Sequence, residues 1–265
     1  SSSAPAPTWP TDKNYTGWWE TAGKRYCFVN GKKLTGWQNV NNVGYYFDNE
    51  GAVSSKCGID VSKYQGTIDW KKVKADGIDF VFVRAGYRGY ETGKIVIDTK
   101  FVENVKGAHD AGLEVGVYFF SQAITKEEAV EEADFVLNAV KGHAIRYPIV
   151  FDMEEIAIEG ARTANLTAAQ ITDLTIAFCE RIKSAGYTPM IYGNVKWMME
   201  HVELSRLTAY QKWFAQYYNK PFFPYEFQIW QYTNKGKVNG ITGEVDLNLC
   251  FVNYNADNRN DCKCF

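Results

Sequence analysis

Phe80-Val81-Phe82-Val83-Arg84-Ala85 and Pro148-Ile149-Val150-Phe151-Asp152-Met153-Glu154 decide the fold class. Both runs are apolar on successive residues rather than alternate ones. A strand of that kind is buried on both faces, as in parallel sheets covered by helices. Working outward, Gly58-Ile59-Asp60-Val61 is a shorter strand, and a helix opens at Asp69-Trp70 and ends near Gly77. Phe101 to Gly112 reads as a helix and Glu114 to Phe120 as a strand. Thr125-Lys126-Glu127-Glu128 is a capping box for a helix reaching about Val140, whose Glu127, Glu128, Glu131 and Glu132 read as a solvated face. Thr167-Ala168-Ala169-Gln170 caps another helix, with Ile171, Leu174, Phe178 and Ile182 as its inward stripe. Pro189 to Tyr192 is a strand followed by a helix near 195–203. Three strands then come with little helix between them, at 212–216, 227–232 and 244–249.

Five strand–helix units and three further strands make eight strands. Alternation implies a mostly parallel sheet, and eight strands imply closure into an irregular (β/α)5β3 TIM-like barrel. An open doubly wound sheet would require a Gly-rich phosphate loop after the first strand, and Asp60-Val61-Ser62-Lys63-Tyr64-Gln65-Gly66 lacks one.

The chain has 265 residues, 46% hydrophobic and 23% charged, which is enough for one large core and excludes disordered and coiled-coil classes. The net charge of −2 removes any global attraction to nucleic acid, and no apolar run is long enough to span a membrane. The six cysteines form no C-x-x-C pair and the three histidines are far apart in sequence, so no metal or organic cofactor is expected. Cys179, beside the inward stripe of its helix, is expected to be unpaired; any bonds of Cys262 and Cys264 should reach elsewhere than each other.

The first 55 residues differ from the rest. Thr16-Gly17-Trp18 recurs as Thr35-Gly36-Trp37, and Tyr26-Cys27-Phe28 as Tyr45-Tyr46-Phe47, both at one fixed offset. A unit of strand, Gly-containing turn and strand cannot bury its own apolar face and must lean on neighbours. The expected organisation is a linker at 1–14, repeats at 15–55, a barrel at 56–253 and an extension at 254–265. The Gly-Trp, Tyr-x-Phe and Asn-Gly pattern resembles the cell-wall-binding repeats of bacterial surface proteins and phage lysins, the choline-binding type included. That resemblance implies wall contact by Trp18, Tyr26, Phe28, Trp37, Tyr45 and Tyr46, with a wall polymer as ligand; aromatics that merely hold hairpins together are the alternative. Removing residues 1–55 is then expected to weaken wall binding and spare cleavage of soluble fragments.

In barrels of this class the chemistry sits at the carboxyl ends of the strands. The acids expected there are few: Asp60, the pair Asp152 and Glu154, and Asp246. Residues i and i+2 of a strand share a face, about 6.6 Å apart at Cα, with Met153 turned away. Two carboxyls so close repel and raise one pKa, so that one serves as acid while the other stays ionised, as glycoside hydrolysis requires. Glu155 reads as loop charge.

The residues from Gly58 to Gly66 with Ile68-Asp69-Trp70 resemble the opening of glycoside hydrolase family 25, the Chalaropsis-type lysozymes. Phe80 to Gly86, Gly116-Val117-Tyr118-Phe119, Asp152-Met153-Glu154, Ile191-Tyr192, Trp213-Phe214-Ala215, Ile229-Trp230-Gln231-Tyr232 and Val245-Asp246-Leu247-Asn248 follow in the family's order, over roughly 57–252. The resemblance implies a secreted, wall-associated N-acetylmuramidase cutting the β-1,4 bond between N-acetylmuramic acid and N-acetylglucosamine in peptidoglycan. Glu154 would be its general acid/base, Asp152 the partner, and Asp60 and Asp246 the rest of an acidic rim. Arg84, Tyr118, Tyr192, Trp213 and Gln231 are the candidates for lining the sugar groove. The chain departs from the family at Phe119, where many members have His, and at Tyr87-Arg88-Gly89. A non-catalytic wall-binding protein and a chitinase-type hydrolase are the alternatives; the latter calls for an Asp where this chain has Val150. Retention, inversion and substrate assistance all stay open at this stage.

Overall fold

The computed structural model describes residues 3, 5–41 and 43–254. Cys262 and Cys264, and all of the expected extension except Tyr254, lie outside the described residues. The chain opens in short antiparallel hairpins. β1 (Gly17–Thr21) pairs with β2 (Lys24–Val29), and the two-residue β3 (Lys32–Lys33) extends that sheet. β4 (Gly36–Val40) and β5 (Val43–Phe47) form a second hairpin. The end pairs Gly17–Phe28 and Gly36–Phe47 occupy equivalent positions, so the sequence repeat is a repeat of hairpins. Ala22 and Gly23 both have positive φ, 49° and 74°, the backbone hand that a tight two-residue hairpin turn needs. Part of the stretch expected as linker is packed: Trp9 lies edge-on to Tyr26 at 4.9 Å between ring centroids, and Trp19 donates from its indole to the Thr8 carbonyl.

Next come β6 (Lys56–Val61), α1 (Trp70–Ala75), β7 (Phe80–Arg88), the short β8 (Ile95–Ile97), α2 (Phe101–Asp110), β9 (Glu114–Phe120), α3 (Lys126–Ala139), β10 (Ile149–Asp152), α4 (Ala168–Ser184) and β11 (Pro189–Asn194). β12 (Gln211–Ala215), β13 (Ile229–Gly236) and β14 (Val245–Cys250) complete the fold. The order β6-β14-β13-β12-β11-β10-β9-β7, closed by β6 against β7, makes an eight-stranded barrel-like sheet, with β8 hanging on β7. β6, β7 and β9 to β13 run parallel, while β14 is antiparallel to both its neighbours. The direct link from β13 to β14 explains the reversal, because a parallel return would need a crossover.

Alternation on β7 shows why both faces must be apolar. Phe80 and Phe82 point into the barrel with Tyr147, Val150, Met190, Trp213 and Ile229, whereas Val81 and Val83 belong to the outer layer shared with the helices. Glycines make room for the inner rings: a Cβ at Gly58 would sit 2.2 Å from the Phe80 ring, and one at Gly116 2.4 Å from Phe82. The outer faces of β13 and β14 carry Trp230, Leu247 and Leu249 in that layer. Here the second hairpin supplies cover. Trp37 packs edge-on to Trp230 and Phe251, the Tyr232 hydroxyl accepts from Gly44 N at 2.8 Å, and Tyr45 and Phe47 join the same apolar cluster.

The helix expected near 195–203 spans 195–201, and its last five residues, Trp197–His201, are π-helical and are stopped by extended backbone at Val202. One expectation from the sequence is corrected. Glu132 does not sit on a solvated face. It is fully buried, accepts from Arg88 Nε at 2.8 Å and from the Ser121 hydroxyl, and lies on the side of α3 facing the sheet. A buried guanidinium from β7 requires a carboxylate opposite it, so the helix turns this Glu inward. Glu128 meets Arg162 Nη1 at 2.6 Å, leaving Glu127 and Glu131 as the exposed pair. Among the described residues, Cys27, Cys57 and Cys179 are buried thiols without disulfide partners, and no helix is long and apolar enough to cross a membrane.

Candidate functional site

β10 presents Val150 inward and Phe151 outward, so Asp152 falls on the barrel's inner side and Met153 on the outer apolar layer. Glu154, two residues past the strand, returns to the cleft that Asp152 lines. β6 brings Asp60 to the same end. Asp246 reaches it from the opposite direction, because β14 runs antiparallel and Asp246, near its start, pairs directly with Asp60. A cleft of about 360 Å³ at the carboxyl ends of the parallel strands is lined by all four acids and by Arg84, Tyr118, Tyr192, Trp213 and Gln231. Every residue nominated from the sequence for this end of the barrel is therefore brought together.

The lining is a hydrogen-bonded network. Asp60 Oδ2 accepts from Gln231 Nε2 and from Asn248 Nδ2, each at 2.9 Å. Asn248 in turn accepts from the Trp213 indole at 2.7 Å. The Gln231 carbonyl oxygen accepts from the hydroxyls of Tyr192 at 2.9 Å and Tyr217 at 2.8 Å. Arg84 donates from Nε to the buried Asp98 at 2.9 Å, while its Nη2 is buried without a hydrogen-bond partner. Asp98 also accepts from Lys63 N and Lys100 N, which ties the loop after β6 to the arginine. Asp152 Oδ1 is likewise buried and unpartnered.

Burial is the largest influence on the acids. It pushes Asp60 up, reinforced by the charge of Asp246 and opposed by the two amide donors. It pushes Asp152 up, reinforced by the charge of Glu154, by a hydrogen bond with it, and by Asp60, with Arg84 opposing. Glu154 is raised by burial and by the charge of Asp246, while the hydrogen bond from Asp152 pulls it down. Repulsion within the pair thus raises one member, Asp152, while Glu154 is raised by dehydration and not by Asp152. Their titration belongs to the pair rather than to either residue. Burial also raises Tyr118 and Tyr192, keeping both phenols neutral donors. A dehydrated carboxyl pair of this kind can hold a proton near neutral pH and give it up to a leaving group.

Glu155 lies in a separate small hollow with Asn194, Trp197 and His201, which Glu154 also touches. It is exposed and bonded to Lys196 at 3.0 Å, which holds its carboxyl below the usual range. Sequence reasoning passed over Tyr217, Tyr64 and Asn248 as site residues. Only Asn248 left a signal, standing two residues after Asp246 on the same strand face. The wall-contact candidates divide. Tyr26, Phe28 and Tyr45 are buried, at 5 to 7% exposure, while Trp18, Trp37 and Tyr46 are half-buried. Trp18 packs on Tyr45 and lies under Arg25 at 4.3 Å, and Lys33 Nζ sits 3.5 Å over the Trp9 ring. Among the described residues, no cluster of His, Cys, Asp or Glu fits a metal ion.

Comparison with known proteins places this geometry. The chain is 26% identical over 191 residues to an autolytic lysozyme of Clostridium acetobutylicum, a match covering 72% of this chain and 54% of the relative. It superposes on the modular autolysin LytC of Streptococcus pneumoniae with a TM-score of 0.68 and 26% identity, over 89% of this chain and 58% of LytC. A bacterial lysozyme from Streptomyces coelicolor aligns at a TM-score of 0.62 and 26% identity, over 73% of this chain and 90% of that one. The chain spans little more than half the length of the first two. The model of glycosyl hydrolases family 25 matches residues 59–241, from the strand carrying Asp60 to just before the strand carrying Asp246, and the chain belongs to that family.

Proposed function

We propose that this protein is a lysozyme that hydrolyses the β-1,4 bond between N-acetylmuramic acid and N-acetylglucosamine in peptidoglycan, acting outside the cell on the bacterial wall. Glu154 is the general acid/base, Asp152 its partner, and Asp60 and Asp246 shape the field around them. The observation that carries this reading is the meeting of four acids in one cleft, with burial raising Glu154 toward the pH at which it works. Likeness to an autolytic lysozyme, and to LytC, which has also been solved in complex with a synthetic peptidoglycan ligand, supports the same substrate.

The contact between Asp152 and Glu154 bears on the mechanism. An inverting pair stands about 6.5–9.5 Å apart to admit water, and a nucleophilic retaining pair about 5–5.5 Å. Asp152 and Glu154 instead interact directly with one another. The arrangement suits retention in which the substrate's own 2-acetamido group attacks the anomeric carbon. Asp152 Oδ1, buried with an open lone pair, receives the acetamido N–H. That donation favours ionised Asp152 and drives the shared proton onto Glu154, which passes it to the leaving oxygen. Proton NMR of the first-formed anomer tests this: a β product supports it, and an α product refutes it.

We read the barrel as the five strand–helix units and three strands of the (β/α)5β3 type, and the hairpins as a wall-binding module. An alignment with LytC over 89% of the chain must run into the first 55 residues, which supports that reading. The partly exposed Trp18, Trp37 and Tyr46 are the wall-facing candidates. Sedimentation of Trp18→Ala with purified walls, compared with the unaltered protein, tests it.

A further inference from the structure

A groove of about 800 Å³ runs between the β4–β5 hairpin and the outer faces of β13 and β14. It is continuous with the acidic cleft, since Tyr217 lines both and the neighbours Asn234 and Lys235 line one each. Its charge is the reverse of the cleft's. Four acids line the cleft, whereas the groove has Lys235 and Lys237 and no acid. Both lysines are exposed, and among the described residues neither is in an ion pair. Tyr217 and Tyr218 stand at the junction, 49% and 62% exposed, and the bond from the Tyr217 hydroxyl to Gln231 fixes that ring at the rim.

We propose that this groove binds the next stretch of the same peptidoglycan strand, with Lys235 and Lys237 taking its carboxylates and Tyr217 and Tyr218 stacking on a sugar face. The proposal rests on the hydrolase reading above. Charge complementarity selects the occupant. Peptidoglycan carries carboxylates on its stem peptides, or on its lactyl groups wherever the peptide is missing, separated by neutral sugars. Two ammonium groups outside any ion pair, on the path that continues from the cleft, match those carboxylates in charge. With an overall charge of −2, this attraction is a property of the groove and not of the protein as a whole.

The test is the full chain carrying Lys235→Gln and Lys237→Gln together, assayed on peptide-bearing soluble peptidoglycan, on glycan stripped of peptide by an amidase, and on a short oligosaccharide. KM on the peptide-bearing polymer should rise about three- to ten-fold, the size of two exposed ion pairs, with kcat unchanged. KM on the short oligosaccharide should stay the same. A rise confined to the peptide-bearing polymer assigns the stem-peptide carboxylates, a rise confined to the stripped glycan assigns the freed lactyl carboxylate, and a rise on both shows that the lysines take either. An unchanged KM on both polymers overturns the proposal, as does an equal rise on the oligosaccharide. Unaltered protein inactive on all three substrates would overturn the hydrolase reading instead.

Discussion

Replacing Glu154 by Gln preserves the side chain's shape and removes its proton. The glycosidic oxygen leaves poorly as an alkoxide, so the loss falls on the bond-breaking step. General acid catalysis contributes about 10²–10⁴-fold, or about 2.7–5.4 kcal/mol at 1.36 kcal/mol per factor of ten. Two of the other acids in the cleft are poorly placed to substitute. Asp60 is held by two amide donors that favour its ionised form, and Asp152 donates toward Glu154 rather than toward a leaving group. The variant should therefore lose at least a hundredfold in kcat on peptidoglycan, followed by release of reducing ends. It should also melt no lower than the parent at neutral pH, because it removes a buried carboxylate facing Asp246. The melting curve thus separates a chemical defect from a folding one. Residual activity above about a tenth in a normally folded variant would refute the assignment, since that is below any general-acid contribution. The acid would then be sought at Asp60 or Asp246.

Asp152→Asn should cripple catalysis and yet stabilise the fold at neutral pH. The folded pKa of Asp152 is raised, so the native state binds the extra proton, and stability falls as pH rises from the unfolded value through the folded one. Thermal unfolding should show the Asn variant's advantage at pH 7 and none below about pH 3.5, where both states are protonated. Glu132→Ala leaves the buried Arg88 without its closest carboxylate and should cost about 3 kcal/mol in denaturant unfolding, with Ser121 freed below the Asp152 strand end. Trp37→Ala uncovers Trp230 and Phe251 and should lower the melting temperature by roughly 4–8 °C, for a loss of about 2 kcal/mol from a half-buried ring. Removal of residues 1–55 should likewise destabilise the barrel, because Tyr45 and Phe47 belong to its apolar layer. Differential scanning calorimetry of the truncated chain checks this.

The sequence by itself determined the features that repeat over a few residues. Phe80 to Ala85 is apolar on both faces of its pleat, and that local pattern already demands a covered, mostly parallel sheet. Asp152 and Glu154 are two residues apart at the end of an apolar strand, so their common side follows from backbone geometry alone. The hairpin repeat was legible in the same way, because its offset is a property of the chain and not of its surroundings.

Tertiary structure decided what depends on partners distant in sequence. Asp246 meets Asp60 because β14 returns antiparallel beside β6, and no local pattern records which strand a returning strand will join. The donors from Gln231 and Asn248 that hold Asp60 come from the same closure. The acidic face of α3 divides into solvated and buried members only when Arg88 arrives from β7. The hairpins cover β13 and β14 because those strands bury apolar side chains on an outer face that has no crossover helix. Periodicity reports which side of an element is apolar, whereas hydration and the identity of the opposing charge are set by whatever packs against that side. Those two quantities place the pKa values of Asp152 and Glu154, so the pair's position was readable from sequence and its acidity was not.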